Sequence, residues 1–291
     1  MASGRQGKNC KHCETPLSTG NERCPKCRRW NWNDGRTGKS EPGAKGLEPD
    51  GTILLSDVTS ADADRIETAT CGEIWGSTID EEGMVIARGI VRTSVNLLGG
   101  KRGAGKSTLV RQILSEVSAK LDRESLYVAC EESNPEIKLN TQRIRVANMH
   151  QIRMLQALSG AANVAEVIAA RKPCIAVIDS LRGLIGPDQA AANEACKLCK
   201  IIAVENTCPI IIIQHVNKDD DISGSSDDQH DVDSVMTFFP EVGDIRLLDV
   251  EKNRFGQAFI GQRFRMTPRG LVAVPGLVGT NEAEQEEDDC R

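Results

Sequence analysis

The sequence predicts an α/β protein: a parallel sheet with an antiparallel extension and helices on both faces, preceded by a small cysteine-rich domain. Three observations support this class. Two C-x2-C pairs lie near the N-terminus, a G-x4-G-K-S motif separates an apolar strand from a helix, and apolar strands then alternate with helical stretches. Strand–helix alternation is typical of βαβ units, whose strands run parallel.

Two cysteine pairs, Cys10/Cys13 and Cys24/Cys27, have the spacing C-x2-C-x10-C-x2-C. Each pair turns tightly enough to direct two thiolates at one ion, so together they predict a tetrahedral Zn²⁺ site. A redox pair is the alternative. The segment 28–32, RRWNW, follows directly. Its basic and aromatic side chains would either grip a nucleic-acid strand or pack over the metal site.

Charge is distributed unevenly along the 291 residues, whose formal net charge is −6. Residues 1–46 hold ten Lys and Arg against four Asp and Glu, whereas the last eleven residues hold six acids and one Arg. A stretch rich in Gly, Pro and polar residues near 34–51 has the composition of a linker. The predicted organisation is therefore a zinc-binding head over 1–33, a linker over 34–60, a main domain over 61–278 and a disordered acidic tail over 279–291.

The G-x4-G-K-S motif predicts a nucleotide site, because it follows the apolar strand 95–98 and precedes a helix that begins near Lys106. Glycines let backbone N–H groups surround phosphates at the helix N-terminus. Lys106 would reach the β- and γ-phosphates, and Ser107 would ligate Mg²⁺. The predicted nucleotide-binding residues are Gly100, Gly103, Gly105, Lys106, Ser107 and Thr108.

Polar residues follow three further apolar strands. Asp179 ends the strand 174–179 and is predicted to hold Mg²⁺ or its water. Glu131 follows the strand 125–130 and would orient and deprotonate the attacking water; a helix N-terminal charge is the alternative. Gln214 and His215 end the strand 209–214 and would sense the γ-phosphate, although a surface role for His215 is also open.

The remaining segments complete the expected sheet and core. Helices are predicted over 161–171 and 190–206, and strands without intervening helices over 234–239, 245–251 and 262–267. Hydrophobic residues make up 39% of the chain, enough for a full core. Seven cysteines outside the two pairs are predicted to be packing residues or free thiols. Among them, Cys196 and Cys199 lie in a helical stretch without a second pair.

No apolar run approaches the roughly 20 residues of a membrane span, and the N-terminus does not resemble a signal peptide. The expected location is therefore the cytoplasm, where cysteines remain thiols or bind metal.

These motifs together resemble the RadA (Sms) family, bacterial relatives of RecA that act in recombinational repair. The resemblance covers nearly the whole chain, from the four-cysteine head through the P-loop, Glu131-Glu132-Ser133 and Ile178-Asp179-Ser180 to His215-Val-Asn-Lys218. The most specific element is Lys252-Asn-Arg-Phe-Gly256, which looks like the family's KNRFG motif.

The resemblance implies a RecA-like P-loop ATPase with ATP, Mg²⁺ and Zn²⁺ as cofactors. It implies a homo-oligomeric ring, a hexamer, that moves on single-stranded DNA and promotes branch migration. ATP in such rings lies between subunits, and Lys252 and Arg254 are the residues that would complete the neighbour's site. Alternatively, Lys252 and Arg254 belong to a solvent-exposed basic turn and have no role in the neighbour's site. A recombinase or a replication protein is the expected protein partner.

Two departures from the family leave a second function open. The chain stops about 20 residues after Leu271, so the family's Lon-like C-terminal domain is not expected. The segment 219–228 contains five aspartates, a poor track for a polyanionic strand. The alternative is therefore a nucleotide-switched adaptor in recombination or replication, whose zinc head docks a partner protein without translocation.

Overall fold

The computed structural model describes residues 8–9, 16–17, 22–23, 30–31, 65–68, 70, 78–79, 85–144, 146, 148–156, 160–215 and 231–279. The chain divides into two compact units, Met1–Thr59 and Ser60–Arg291. In the first unit, strand β1 (Lys8–Asn9) pairs with β2 (Pro16–Leu17), and β3 (Glu22–Arg23) pairs with β4 (Trp30–Asn31), both antiparallel. The four predicted zinc ligands, the segment 219–228 and the acidic tail lie outside the described residues.

The second unit contains thirteen described strands and five α-helices. Its strands are β5 (Arg65–Ile66), β6 (Thr78–Ile79), β7 (Val85–Ala87), β8 (Ile90–Val91), β9 (Val95–Gly99), β10 (Ser125–Ala129), β11 (Ile152–Gln156), β12 (Ala176–Asp179), β13 (Ile210–Ile213), β14 (Ser234–Pro240), β15 (Ile245–Asn253), β16 (Ile260–Thr267) and β17 (Gly270–Gly279). Its helices are α1 (Lys106–Leu121), α2 (Asn134–Arg143), α3 (Gly160–Arg171), α4 (Leu181–Ile185) and α5 (Gln189–Asn206), with a 3₁₀ turn at Met149–Gln151.

Nine strands form the central sheet in the order β11-β10-β12-β13-β9-β14-β15-β16-β17. The first six run parallel, and β15, β16 and β17 continue the sheet, each antiparallel to the strand before it. This arrangement confirms the predicted α/β class with an antiparallel extension. Because the parallel strands all end at one edge, the loops that follow β9, β10, β12 and β13 meet there.

Side-chain alternation buries both faces of the parallel strands. On β13, Ile211 and Ile213 join the core that includes the apolar face of α1, and Ile210 and Ile212 are buried on the opposite face. Helix α4 contacts β12, α5 contacts β9, and α3 packs on α5. Near-continuous apolar strands of this kind are typical of parallel sheets covered on both sides.

The sequence pattern did not predict β5 to β8, β11, β17, α2 or α4. Strand β11 is half exposed at the sheet edge, and α2 buries only Ile137 and Thr141, so neither carries a strong apolar pattern. Strand β17 pairs with β16 through a short turn at 268–269. An element that buries few side chains has a weak hydrophobic periodicity, which is the main signal for predicting secondary structure from sequence.

Candidate functional site

The loop between β9 and α1 is shaped by its glycines. Gly100, Gly103 and Gly105 have φ angles of 141°, 79° and 108°. A Cβ on Gly100 would lie 2.1 Å from the carbonyl oxygen of Phe238, and one on Gly105 would lie 2.6 Å from Cε of Met266. Glycine is therefore required at position 100 by the close backbone oxygen, and at position 105 by the positive φ, since the end of the Met266 side chain can move. The first turn of α1 contains no acidic residue, so the helix dipole leaves this end favourable for anions.

Lys106 is the first residue of α1, and its side chain is buried. Its ammonium group donates to the carbonyl oxygens of Gly100 and Lys101, the latter at 2.9 Å. Burial lowers the pKa of Lys106 to about 8, against the opposing effect of the negative charges of Asp179 and Glu131. A buried ammonium held beside backbone N–H groups fits a polyphosphate, whose charge would stabilise the protonated lysine.

Asp179 and Glu131 meet at the carboxyl edge of the sheet because β10 and β12 are neighbours, with Ala129 opposite Asp179. The hydroxyl of Ser180 donates to Oε1 of Glu131, and Nε2 of His215 lies 3.5 Å from the same oxygen. Burial raises the pKa of Glu131, but the Ser180 hydrogen bond and His215 outweigh this effect and hold it below its ordinary value. Glu131 is therefore an ionised carboxylate at neutral pH.

A cavity of about 600 Å³ unites most of the predicted residues. Its lining includes Gly103, Gly105, Lys106, Ser107, Thr108, Glu131, Asp179 and His215. Gly100 instead lines a second cavity of about 340 Å³, beside Thr237 and Asp249. Gln214 is buried, and its backbone N–H donates to the carbonyl of Leu98 at 3.0 Å; it does not line the larger cavity.

Lys252 and Arg254 lie at the other end of the sheet. Residue Asn253 pairs with Ser234, which in turn pairs with Asn96 near the start of β9, whereas the P-loop follows the end of β9. The ammonium of Lys252 donates to the carbonyl of Val232 at 3.0 Å. Burial lowers its pKa, an effect that the nearby Arg254 charge reinforces. Both cations are therefore remote from the P-loop of their own chain.

Several cavity residues were missed by the sequence reasoning. Arg111 and Tyr127 lie under the cavity, and Arg143, Arg246 and Met266 contribute to its lining. Arg111 could have been identified as a charged residue within the apolar stretch of α1. Tyr127 could have been identified as the chain's single tyrosine. Arg246 and Met266 arrive from antiparallel strands, whose register the sequence did not reveal.

Among the described residues, no group of three or more His, Cys, Asp or Glu side chains is arranged to hold a metal ion without further ligands. Ser107 and Asp179 both line the cavity and offer oxygen ligands, and Mg²⁺ is usually bound through one or two protein oxygens and its substrate. In the same described part of the chain, no helix is long and apolar enough to cross a membrane.

Comparison with known proteins places this geometry in a family. Residues 77–221 match a family model described as an AAA domain. The DNA repair protein RadA of Treponema pallidum is 31% identical over 269 residues, which cover 88% of this chain and 56% of that protein. The chain belongs to the RadA family. RadA of Mycobacterium tuberculosis is 29% identical over 275 residues, covering 89% of this chain and 54% of that protein.

The chain thus spans little more than half the length of these RadA relatives. A solved structure, the KaiC-like protein PH0186 of Pyrococcus horikoshii, matches 70% of this chain and 99% of its own with a TM-score of 0.53. Its sequence identity is 16%, so this likeness concerns the fold alone. The fold is that of a RecA-like P-loop ATPase domain, as the family resemblance implied.

Proposed function

We propose that this RadA-family chain is an ATP-dependent motor that acts on single-stranded DNA in recombinational repair and branch migration. One observation supports the proposal. Lys106, Glu131 and Asp179 line one cavity at the carboxyl ends of the parallel strands, whereas the basic KNRFG segment lies near the opposite ends of these strands. The five residues of β9 separate the two edges by about 16 Å, at about 3.3 Å per residue. A site that needs both sets of residues must therefore combine two chains.

In the proposed mechanism, the backbone around Gly103 and Gly105 and the side chain of Lys106 hold the phosphates of ATP. Ser107 and Asp179 would hold Mg²⁺, which when bound supplies charge neutralisation at the phosphate oxygens. Glu131, kept ionised by Ser180 and His215, orients the attacking water and accepts its proton. His215 lies beside both Glu131 and the cavity, so its imidazole is the group that would sense the γ-phosphate.

Lys252 and Arg254 are proposed to complete the site of a neighbouring subunit in a homo-oligomeric ring, a hexamer. A cation supplied by the neighbour stabilises the negative charge that develops in phosphoryl transfer, and it makes hydrolysis depend on assembly. The Arg254 side chain is 52% exposed, although one of its nitrogens lies near Asp233. This exposure supports the role, because a neighbouring subunit could reach the side chain.

We further propose that Cys10, Cys13, Cys24 and Cys27 bind one Zn²⁺ and that the basic head contributes to contact with DNA. The metal would supply folding energy to a segment too short to bury a core of its own. The alternative function, a nucleotide-switched adaptor that docks a recombinase or replication protein, is favoured by one observation, the five aspartates within 219–228.

ATP turnover with and without single-stranded DNA tests the proposal. The wild type is compared with Lys106→Ala, Glu131→Gln and Arg254→Ala. The motor proposal expects stimulation by DNA and loss of turnover in all three variants. Absence of stimulation, together with unchanged turnover in Glu131→Gln, would rule out the motor and favour the adaptor.

A further inference from the structure

Four side chains form a continuous hydrogen-bonded chain beneath the cavity. The hydroxyl of Tyr127, on β10, donates to Oδ2 of Asp179. Nη2 of Arg111, on α1, lies 3.2 Å from the Tyr127 oxygen and 2.7 Å from Oε2 of Glu132, and it donates to both. The chain of contacts therefore runs from Asp179 to the residue that follows Glu131.

The two inner members of this chain of contacts are buried, whereas the Glu132 side chain is 42% exposed, and a buried charge is costly unless it is paired. Arg111 is 4% exposed and Tyr127 is 1% exposed. The Arg111 guanidinium carbon also lies 5.3 Å from the centre of the Tyr127 ring, a cation–π distance. An apolar residue at position 111 would pack in the same place without a desolvation cost, which favours a polar role for Arg111.

The direction of each hydrogen bond is fixed by chemistry. Arginine only donates, and a phenol has a single proton. Since the Tyr127 oxygen accepts from Arg111, its proton goes to Asp179. Hydrogen bonds that run in one direction polarise one another, so the phenol is a stronger donor to the carboxylate. Oδ2 of Asp179 is thereby held, and the carboxylate cannot rotate without breaking the bond to Tyr127.

We propose that Arg111 and Tyr127 are positioning residues that hold Asp179 in the orientation needed to bind Mg²⁺ and connect it to Glu132, beside the water-activating Glu131. The inference rests on the proposed function, because it assigns a metal to Asp179. It predicts that the two residues contribute to the gain in ATP affinity that Mg²⁺ provides, and not to ATP affinity in general.

The test measures ATP affinity by calorimetry in Mg²⁺ and in EDTA for the wild type and Tyr127→Phe. The variant loses one hydroxyl and keeps the ring. Its affinity in EDTA should match that of the wild type, and the gain from Mg²⁺ should fall about tenfold, the effect of one hydrogen bond to a charged group. Arg111→Met should lose part of the gain, and Arg111→Lys, which keeps a cationic donor, should recover most of it.

Ser118→Ala is the matched control, because Ser118 donates to Ser125 at 2.8 Å and joins α1 to β10 away from the cavity. It should lower the melting temperature without changing the gain from Mg²⁺. A gain within about twofold of the wild type in both Tyr127→Phe and Arg111→Met would overturn the inference. Equal losses of affinity in Mg²⁺ and EDTA would also overturn it. A wild type that gains no affinity from Mg²⁺ and hydrolyses no ATP would instead overturn the proposed function.

Discussion

Nη1 of Arg254 lies 3.5 Å from Oδ1 of Asp233 in the same chain. Asp233 is 1% exposed, and its other oxygen accepts hydrogen bonds from the backbone N–H of Val95 at 2.8 Å and the ammonium of Lys200 at 2.6 Å. The backbone N–H of Arg254 also donates to the Asp233 carbonyl at 2.9 Å. One buried carboxylate therefore links the KNRFG segment to the start of β9.

Asp233→Ala should destabilise the second unit substantially, because it leaves the Val95 N–H without its acceptor and Lys200 without its carboxylate. The expected loss is about 2–3 kcal/mol in the free energy of unfolding, measured by urea denaturation. Asp231→Ala is the control, since Asp231 is more exposed and lies 3.6 Å from Lys197 in a surface pair. It should cost less than about 1 kcal/mol. Similar losses in the two variants would show that Asp233 has no special structural role.

Glu131→Gln should retain ATP binding and lose turnover. The amide keeps the size of the side chain but cannot accept the proton of the attacking water, so the rate should fall by about a hundredfold or more. Single-turnover hydrolysis and nucleotide affinity, measured separately, distinguish the two effects. Glu124→Gln, a change at the opposite end of β10 where Glu124 pairs with Arg153, should leave both unchanged. Loss of nucleotide affinity in Glu131→Gln would contradict a role confined to the water.

Metal analysis by mass spectrometry should find one zinc per chain. Cys10→Ser and Cys24→Ser should each abolish zinc binding, because three thiolates leave a structural site open. Cys199→Ala should keep the zinc, since Cys199 is buried in α5 and packs in the core. Retention of zinc in Cys10→Ser, or its loss in Cys199→Ala, would assign the metal to different cysteines.

The thiols of Cys130 and Cys199 should react slowly with iodoacetamide at pH 8. Burial raises the pKa of each to about 12, and for Cys130 the charges of Asp179 and Glu131 contribute as well. Because the thiolate is the nucleophile, alkylation should accelerate as the pH rises toward 12 and on unfolding in urea. Peptide mass spectrometry measures each site. Rapid modification of Cys130 in the folded protein at pH 8 would contradict the raised pKa of its thiol.

Residues that meet at the carboxyl ends of the parallel strands could be predicted from the sequence. Their placement depends only on the direction in which each strand runs. Glu131 follows β10 and Asp179 ends β12, and parallel strands end together. The positions of these two carboxylates near Lys106 therefore required no knowledge of side-chain packing.

Contacts between elements distant in sequence were beyond prediction. The meeting of Arg111 with Tyr127 depends on how α1 is rotated over β10, and the approach of Arg246 and Met266 to the cavity depends on antiparallel register. A shift of one residue in that register would direct both side chains to the other face. Such details are set by packing of the whole sheet, which a local pattern does not contain.

If one active site uses residues of two chains, a mixture of two inactive variants should regain activity. Lys106→Ala keeps Arg254 intact, and Arg254→Ala keeps the P-loop intact. Each alone should lose ATP turnover, Arg254→Ala by about a thousandfold if it supplies a cation to the transition state. An equimolar mixture that reassembles at random should recover about a quarter of wild-type turnover, because that share of interfaces pairs two intact halves. A mixture no more active than its components would contradict a shared site.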